Sequence, residues 1–179
     1  MRLRFILFLA VTLWGGPVSS VGAAMSSQVR SLVGATALRV VVEDFNMATQ
    51  KIGLQKEPLQ TAAESYLTQR GVKIARGVSG VPVVYIRLSS VIGGEQAQVP
   101  VSFYLTVQVK QFARLAPAPG ARPVSDTSGE PPLLVSTWEG GTMAMLDRRE
   151  LEFYVKQILT NLLGDLVQDY QEANGKGGE

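Results

Sequence analysis

Alternating apolar and polar positions predict four β-strands, at residues 38–45, 83–92, 101–110 and 133–146. The third strand is the clearest, because its odd-numbered residues are all apolar and the residues between them are mostly polar. Each strand has one consistently apolar face. We therefore expect one side of the sheet to be covered and the other to stay open to solvent.

Two interruptions of this alternation predict irregularities in the sheet. The pattern slips at Gln111-Phe112, and Gly140-Gly141 interrupts the fourth strand. An extra residue or a glycine inside a strand is typical of a β-bulge or a local twist. We therefore expect a bulge or the end of regular pairing at Gln111-Phe112, and a bulge or twist at Gly140-Gly141.

A first helix is predicted between the first two strands. Pro58 lies near its beginning, where the missing amide hydrogen costs little, and apolar residues follow at helical spacing. Gly71 ends the helix. Val72 is then placed to close on Leu67, which is the usual contact beyond a helix that ends in glycine.

A second, longer helix is predicted at the end of the chain. Asp147 with Glu150 three residues later forms a capping-box pattern, so we expect the helix to begin at Asp147. A wide apolar stripe then continues through to Tyr170, and the helix is expected to end near Gly175. This stripe is the largest apolar surface of the sequence, so we expect the helix to be essential to the fold.

The predicted order of elements is β-α-β-β-β-α. It indicates an α+β fold in two layers, with a four-stranded, mostly antiparallel sheet and two helices on one face. The first two strands are expected to be parallel, because a helix connects them, and strands two to four are expected to form an antiparallel meander.

The start of the chain has the three-part pattern of a secretory signal peptide. Arginines flank Leu3, an apolar stretch of about ten residues follows, and small residues lead to Ala23 and Ala24. We interpret residues 1–24 as a signal peptide cleaved after one of these alanines. The alternatives are an uncleaved amphipathic anchor or a buried N-terminal helix.

Beyond that segment the sequence predicts a single α+β domain at 38–175. Residues 25–37 are small, polar and weakly patterned, so we expect a flexible lead-in there. Residues 116–132 are rich in proline, glycine, alanine and serine and lack an apolar period, which predicts a long loop.

Composition limits the chemistry that this domain can perform. The chain has no cysteine and no histidine, which excludes disulfides, thiol nucleophiles, Ser-His catalysis and the commonest zinc ligands. Its 17 basic and 15 acidic residues become 15 of each once the signal arginines are removed, so no net charge favours nucleic acid or anionic lipid. We expect no cofactor, no metal and no membrane span after cleavage.

Two short segments are candidates for a site. Glu43 and Asp44 are the best acidic pair, but neighbours on a strand point to opposite faces, so a solvated strand end is the stronger reading than a catalytic or metal site. The segment Trp138 to Gly141 could approach a ligand closely through its glycines. A core tryptophan beside a bulge explains it better.

The polar face of the sheet is the more informative candidate. Tyrosine and arginine are enriched at protein interfaces, and both occur on this face beside Arg39 and Glu43. The alternative is an ordinary wet face of an antiparallel sheet. The predicted partner-binding residues are Tyr85, Arg87, Tyr104, Thr106, Gln108 and Lys110.

Several segments resemble a group of small exported bacterial proteins to which no activity is assigned. They are residues 38–45, 66–72, Thr137-Trp138 with Gly140-Gly141, and 166–170. At coarser range the order of elements is similar to helix-on-sheet domains of envelope assembly, such as the lipopolysaccharide-assembly lipoprotein and the N-terminal domain of the TolB type. The resemblance implies a fold and an envelope setting but supplies no catalytic residue, and the lipoprotein's anchoring cysteine is absent here.

These observations lead to one expected function and one alternative. We expect a non-enzymatic, exported binding or assembly module of the bacterial cell envelope, periplasmic or extracellular, that contacts a protein or envelope component through the open sheet face. The alternative is a small envelope hydrolase that uses carboxylates. That enzyme would need two acidic side chains about 5 to 9 Å apart across a cleft.

Overall fold

The structure is a computed structural model that describes residues 25–92, 100–113 and 132–175. The predicted signal peptide at 1–24 lies outside the described residues. So does the predicted loop at 116–132, apart from its last residue, Pro132.

A four-stranded sheet in the order β1-β2-β3-β4 forms one layer. β1 pairs with β2 in parallel, whereas β2 with β3 and β3 with β4 pair antiparallel, which confirms the predicted mixed sheet. The strands are β1 (Arg39–Val42), β2 (Val83–Ile92), β3 (Val101–Ala113) and β4 (Leu133–Leu146).

Four helices form the second layer in the described part of the chain, two long and two short, and they pack on one face of the sheet. α1, α2 and α4 each share a hydrogen bond with a side chain on that face. Gln111 donates to the Ser31 carbonyl on α1, the Thr49 hydroxyl on α2 bonds with that of Ser90, and Trp138 donates to Asp169 on α4. None of the described helices is both long and apolar enough to cross a membrane. The helices are α1 (Ser27–Ser31), α2 (Met47–Lys51), α3 (Lys56–Gln69) and α4 (Leu151–Asn174).

The alternation of β3 explains how the two layers join. Its apolar residues Val101, Phe103, Leu105, Val107 and Val109 are all buried against the helices. The buried residues of α4 form a matching stripe along the helix at intervals of three or four residues. Burying both surfaces in one core is the main favourable contribution to the stability of the domain.

The end of α3 follows the prediction closely. Gly71 has a positive φ of 84°, which glycine adopts without a Cβ penalty. The Gly71 amide donates to Thr68 and the Val72 amide donates to Leu67, which is the Schellman arrangement. Leu67 and Val72 are both buried, so the turn also anchors the helix in the core.

The segment predicted as a flexible lead-in, residues 25–37, is structured instead. Ser26 caps α1 by accepting a hydrogen bond from the Val29 amide, and Leu32 is fully buried in the core. The Asn174 side chain, at the end of α4, accepts from the Gly34 amide and donates to the Leu32 carbonyl. These contacts join the two ends of the described chain, so the local sequence pattern did not reveal them.

The predicted start of the last helix was four residues too early. Asp147 accepts a hydrogen bond from the Arg149 amide and so closes a turn before the helix, while α4 begins at Leu151. Glu150 occupies the N-cap position without a side-chain capping bond. Asp and Glu at this spacing therefore serve a connecting turn rather than a capping box.

The bulge also differs in position from both predicted sites. The register shifts between Val109 and Lys110, which pair with Trp138 and Ser136, so Thr137 is the extra residue on β4. Gly140 and Gly141 lie in regular pairing, opposite Val107 and Thr106. A bulge therefore does not explain why glycine occupies these two positions.

Candidate functional site: the open face of the sheet

The face of the sheet opposite the helices is not covered by any described helix or strand. We call it the open face. The register places all six predicted partner-binding residues on this face, because each alternates with a residue buried against the helices. The six are Tyr85, Arg87, Tyr104, Thr106, Gln108 and Lys110.

A group of charged and aromatic side chains forms the centre of the open face. Arg87 Nε lies 3.2 Å from Glu43 Oε2, within ion-pair distance although outside hydrogen-bond geometry. Lys110 Nζ lies 3.6 Å from the centroid of the Tyr85 ring, a cation–π contact. Burial, with the nearby Glu43 carboxylate, raises the pKa of the Tyr85 hydroxyl. Tyr85 thus stays neutral, with a cation on its ring and an anion near its hydroxyl.

One end of the open face is apolar. We define the apolar end as Val91, Tyr104, Met143 and Met145. Their exposed fractions are 71%, 45%, 74% and 67%, although large apolar side chains are usually buried. Met143 is paired directly with Tyr104, and Met145 with Ser102, which in turn pairs with Val91. The four side chains therefore occupy two neighbouring rows of the sheet.

Sequence reasoning found only Tyr104 among these four residues. Met143 and Met145 were missed because the two glycines were interpreted as an interruption of β4. The sequence then did not show on which face of the sheet the residues after the glycines lie. With regular pairing through Gly141, positions 141, 143 and 145 share the open face. That alternation was the signal in the sequence that could have identified the two methionines.

Gly141 has a steric role on the open face. A Cβ there would lie 2.9 Å from Thr106 Cγ2 and 3.3 Å from the Tyr104 hydroxyl oxygen. Tyr104 therefore leans across β4 above Gly141. Any larger residue at 141 would displace the tyrosine or the threonine.

Gly140 has the equivalent role on the helix face. A Cβ there would lie 3.0 Å from Trp138 Cη2 and 3.4 Å from Leu162 Cδ2. Trp138 is buried, and its Nε1 donates to Asp169 Oδ2 on α4 over 2.7 Å. Trp138 is therefore a core residue beside a bulge, which is the interpretation that the sequence favoured over a ligand site.

The six predicted residues are not equally accessible. Thr106 is only 3% exposed, so it cannot contribute surface to a partner, and in this respect the prediction was wrong. Thr106 lies between Arg87, whose side chain is longer, and Gly141, over which the Tyr104 side chain leans, so long side chains flank the threonine. Tyr104 and Arg87 are exposed, and Tyr85, Gln108 and Lys110 are half-buried.

The side chains of Glu43 and Asp44 point in different directions, as predicted from their adjacent positions on a strand. Glu43 pairs with Arg87 on the open face, whereas Asp44 Oδ1 accepts from Lys56 Nζ on α3 over 2.6 Å. The Asp44 hydrogen bond raises the pKa of Lys56. Among the described residues, no cluster of three acidic side chains has the spacing of a metal site.

A cleft of about 500 Å³ between α3 and the edge of β1 holds the acidic residues most relevant to the alternative hydrolase. Glu57 and Glu64 both line it, but they lie seven residues apart on one helix, about 10 Å along its axis. Burial raises the pKa of Glu64, but hydrogen bonds from Gln60 and Arg76 outweigh it and lower the pKa overall. The hydrogen bonds to Glu64 therefore favour its ionised form, whereas the general acid of a glycoside hydrolase has to be protonated.

A second cleft, of about 630 Å³, adjoins the apolar end. Val91 belongs to both the cleft and the apolar end, and the apolar side chains of Met47 and Ile92 also line the cleft. Lys51 and Arg148 stand beside it, with an Arg148 guanidinium nitrogen donating to the Lys51 carbonyl. The exposed apolar surface therefore continues from the open face around the end of the sheet.

Comparison with known proteins adds three solved structures. No family model matches the chain, and no curated protein sequence matches it either. A minor lipoprotein from Acinetobacter baumannii is 13% identical, with 78% of this chain and 93% of that chain covered, at a TM-score of 0.35. Rare lipoprotein B from Shewanella oneidensis is 14% identical, with 76% and 94% covered, also at 0.35. A PelC dodecamer from Paraburkholderia phytofirmans is 13% identical, with 78% and 88% covered, at 0.37.

Two of these three proteins are lipoproteins, the class named in the coarse resemblance drawn from the sequence. Similarity at this level says nothing about what the present chain binds.

Proposed function

We propose that this chain is a non-enzymatic, exported binding or assembly module of the bacterial cell envelope, and that it contacts a protein partner through the open face. The observation that carries the proposal is the apolar end, where Val91, Tyr104, Met143 and Met145 lie together in solvent beside a charged centre. Contiguous exposed apolar surface with a polar rim is typical of protein interaction sites.

The chemistry of this surface favours a protein as the partner. Tyrosine, methionine and arginine are enriched in the cores of protein interfaces, and all three occur here. Tyr104 presents a large ring with few rotatable bonds, so ordering it costs little entropy. Methionine side chains adapt to irregular surfaces, which suits Met143 and Met145 to contact with a partner.

The charged centre supplies specificity. Arg87 is 60% exposed, and its orientation toward Glu43 leaves Glu43 Oε2 without a hydrogen bond. A partner that offers an acidic group to the exposed Arg87 side chain complements this charge. A partner of the wrong charge leaves it unsatisfied, and such mismatches disfavour wrong partners.

Capture from the native envelope tests the proposal. The tagged protein, expressed with its signal, is recovered with its partners after mild crosslinking, alongside Tyr104→Ala and Arg87→Ala variants. We expect each variant to lose 1 kcal/mol or more of binding free energy, at least about fivefold in captured partner, while melting within a few degrees of wild type.

Phe153→Ala provides a matched control. Phe153 is an aromatic residue with 67% exposure on α4, in the helix layer, and should be dispensable for capture. Full capture by both open-face variants, or an equal loss in Phe153→Ala, would contradict the proposal. The next surface to examine would then be the predicted loop at 116–132.

A further inference from the structure

The two edges of the sheet differ in how their free backbone groups are protected. At the β1 edge, Leu38 donates to the Lys73 carbonyl and accepts from the Ala75 amide, so a neighbouring segment covers its start. β1 is also short, begins at the charged Arg39 and is followed by Glu43 and Asp44. Short, covered or charged edges are the usual protection against further strand pairing.

The β4 edge has little of this protection. The strand runs for 14 residues and contains one charged residue, Glu139. Its first part is shielded where Ser31 Oγ on α1 donates to the Thr137 carbonyl. From Trp138 to Leu146 no described element pairs with its outer side. A long, uncharged edge of this kind is a template for an additional strand.

The hydrogen-bond register identifies which groups are free on this edge. Pairing of Arg39 and Glu43 with the Pro82 and Ile86 carbonyls fixes the direction in which successive β2 residues point. In an antiparallel ladder, residues whose backbone groups point toward the neighbouring strand alternate with residues whose groups point away. Followed from β2 to β3 and from β3 to β4, this alternation directs the N–H and C=O groups of the even-numbered residues 138 to 146 of β4 toward β3. The N–H and C=O groups of Glu139, Gly141, Met143 and Met145 therefore point outward.

We propose that a second copy of this chain pairs with this edge, so that the two β4 strands run antiparallel about a two-fold axis at Thr142. In this register Gly141 of each copy faces Met143 of the other, and Glu139 faces Met145. Every outward N–H and C=O of the four residues then has a partner. The sheet continues through both copies with all helices on one side, which is an isologous arrangement.

Charge disfavours the register that is shifted by one residue toward Asp147. A shift that centres the axis on Met143 would place Glu139 opposite Asp147 of the other copy, in both halves of the pair. Directly opposed like charges destabilise a strand pair. With the axis at Thr142, the only acidic residue of the strand faces an uncharged methionine.

The absence of cysteine makes a direct crosslinking test possible, because a single introduced cysteine can form a disulfide only between copies. At the axis, Thr142 faces its own counterpart as a non-hydrogen-bonded pair with Cα atoms about 4.5 Å apart, which suits a disulfide. Thr142→Cys should therefore form a covalent dimer under mild oxidation.

Ala144→Cys is the matched control. Ala144 lies on the same strand and the same face and is equally half-buried, but its counterpart lies four residues away along the pair, about 13 Å. We expect Thr142→Cys to crosslink roughly tenfold more than Ala144→Cys, since the control exceeds disulfide range. Equal crosslinking of the two variants, or none in Thr142→Cys, would overturn the pairing.

Proline substitution tests the backbone groups separately. Met143→Pro removes an outward N–H and no bond to β3, whereas Met143→Ala keeps the N–H and removes only the side chain. By light scattering we expect wild type and Met143→Ala to be dimers and Met143→Pro to be a folded monomer. A monomeric wild type, or a dimeric Met143→Pro, would show that the edge does not hold a second copy. If Met143→Pro does not fold, the cysteine pair decides.

Discussion

The two faces of the same sheet carry very different side chains on one continuous backbone. On β3, Leu105 is fully buried under the helices, while its neighbour Tyr104 is 45% exposed on the open face. The helix face is mainly apolar, and the open face mixes methionine, tyrosine, arginine and glutamate. The comparison shows that burial of one face fixes the register of the strands and leaves the other face free to vary with function.

The largest expected effect lies on the covered face. Leu105→Ala should lower the free energy of unfolding by about 2 to 5 kcal/mol, because the helices and neighbouring strands cannot close the cavity completely. Leu162→Ala on α4 should fall in the same range, and Ile158→Ala should cost less because Ile158 is half-buried. Urea denaturation measures all three. A loss below about 1 kcal/mol for Leu105→Ala would mean that the two faces do not differ in the way described.

The next effect concerns a polar contact within the covered face. Trp138→Phe keeps most of the ring volume but removes the hydrogen bond from Nε1 to the Asp169 carboxylate. Hydrogen bonds to charged groups contribute about 1.5 to 3 kcal/mol, so we expect a loss in that range. A double-mutant cycle with Asp169→Ala isolates the contact, because its coupling free energy should approach zero if the bond contributes nothing.

Much of this fold follows from the sequence, because the alternation of apolar residues along the strands and their spacing of three or four residues along the helices were both clear. The bounds predicted for β2 and β4 match the structure, and so does the turn at Gly71. These features depend on local patterns of residues. The order of residues 25–37 was missed because it depends on distant contacts, such as those of Leu32 and Gly34 with Asn174, at the opposite end of the described chain.

The candidate site was predictable only in part. Alternation placed Tyr85, Arg87 and Tyr104 on the open face, but it could not show that Thr106 is covered by its neighbours. Nor did it reveal the methionines, because the reason for Gly141 is a close approach of side chains from β3. Such an approach depends on the pairing partner, which a single strand does not specify.

A smaller effect concerns the edge of the covered layer, where Glu64 accepts from Gln60 and Arg76. The pKa of Glu64 is lowered in the folded state, so its ionised form stabilises the fold above the ordinary value of about 4.3, and this contribution is lost as pH falls through the folded pKa. Arg76 is largely exposed, so the effect should be below about 1 kcal/mol.

Glu64→Gln tests this contribution through the pH dependence of stability. The variant should be less stable than wild type at neutral pH and should lose less stability between neutral pH and about pH 3, because it lacks the group that titrates. Urea midpoints at both pH values measure the difference. Parallel losses in the two proteins would show that Glu64 is not stabilised by its partners.

The smallest expected effect lies on the open face and completes the comparison with Leu105. Met143→Ala removes a side chain of similar size to leucine, but Met143 is 74% exposed, so little apolar surface returns to water on unfolding. Surface substitutions away from special features usually change stability by no more than about 0.5 kcal/mol, and we expect that result here. Urea denaturation at low protein concentration keeps self-association from contributing. A loss near that of Leu105→Ala would mean that Met143 is packed within its own chain. The apolar end would then belong to the core rather than to a surface available for binding.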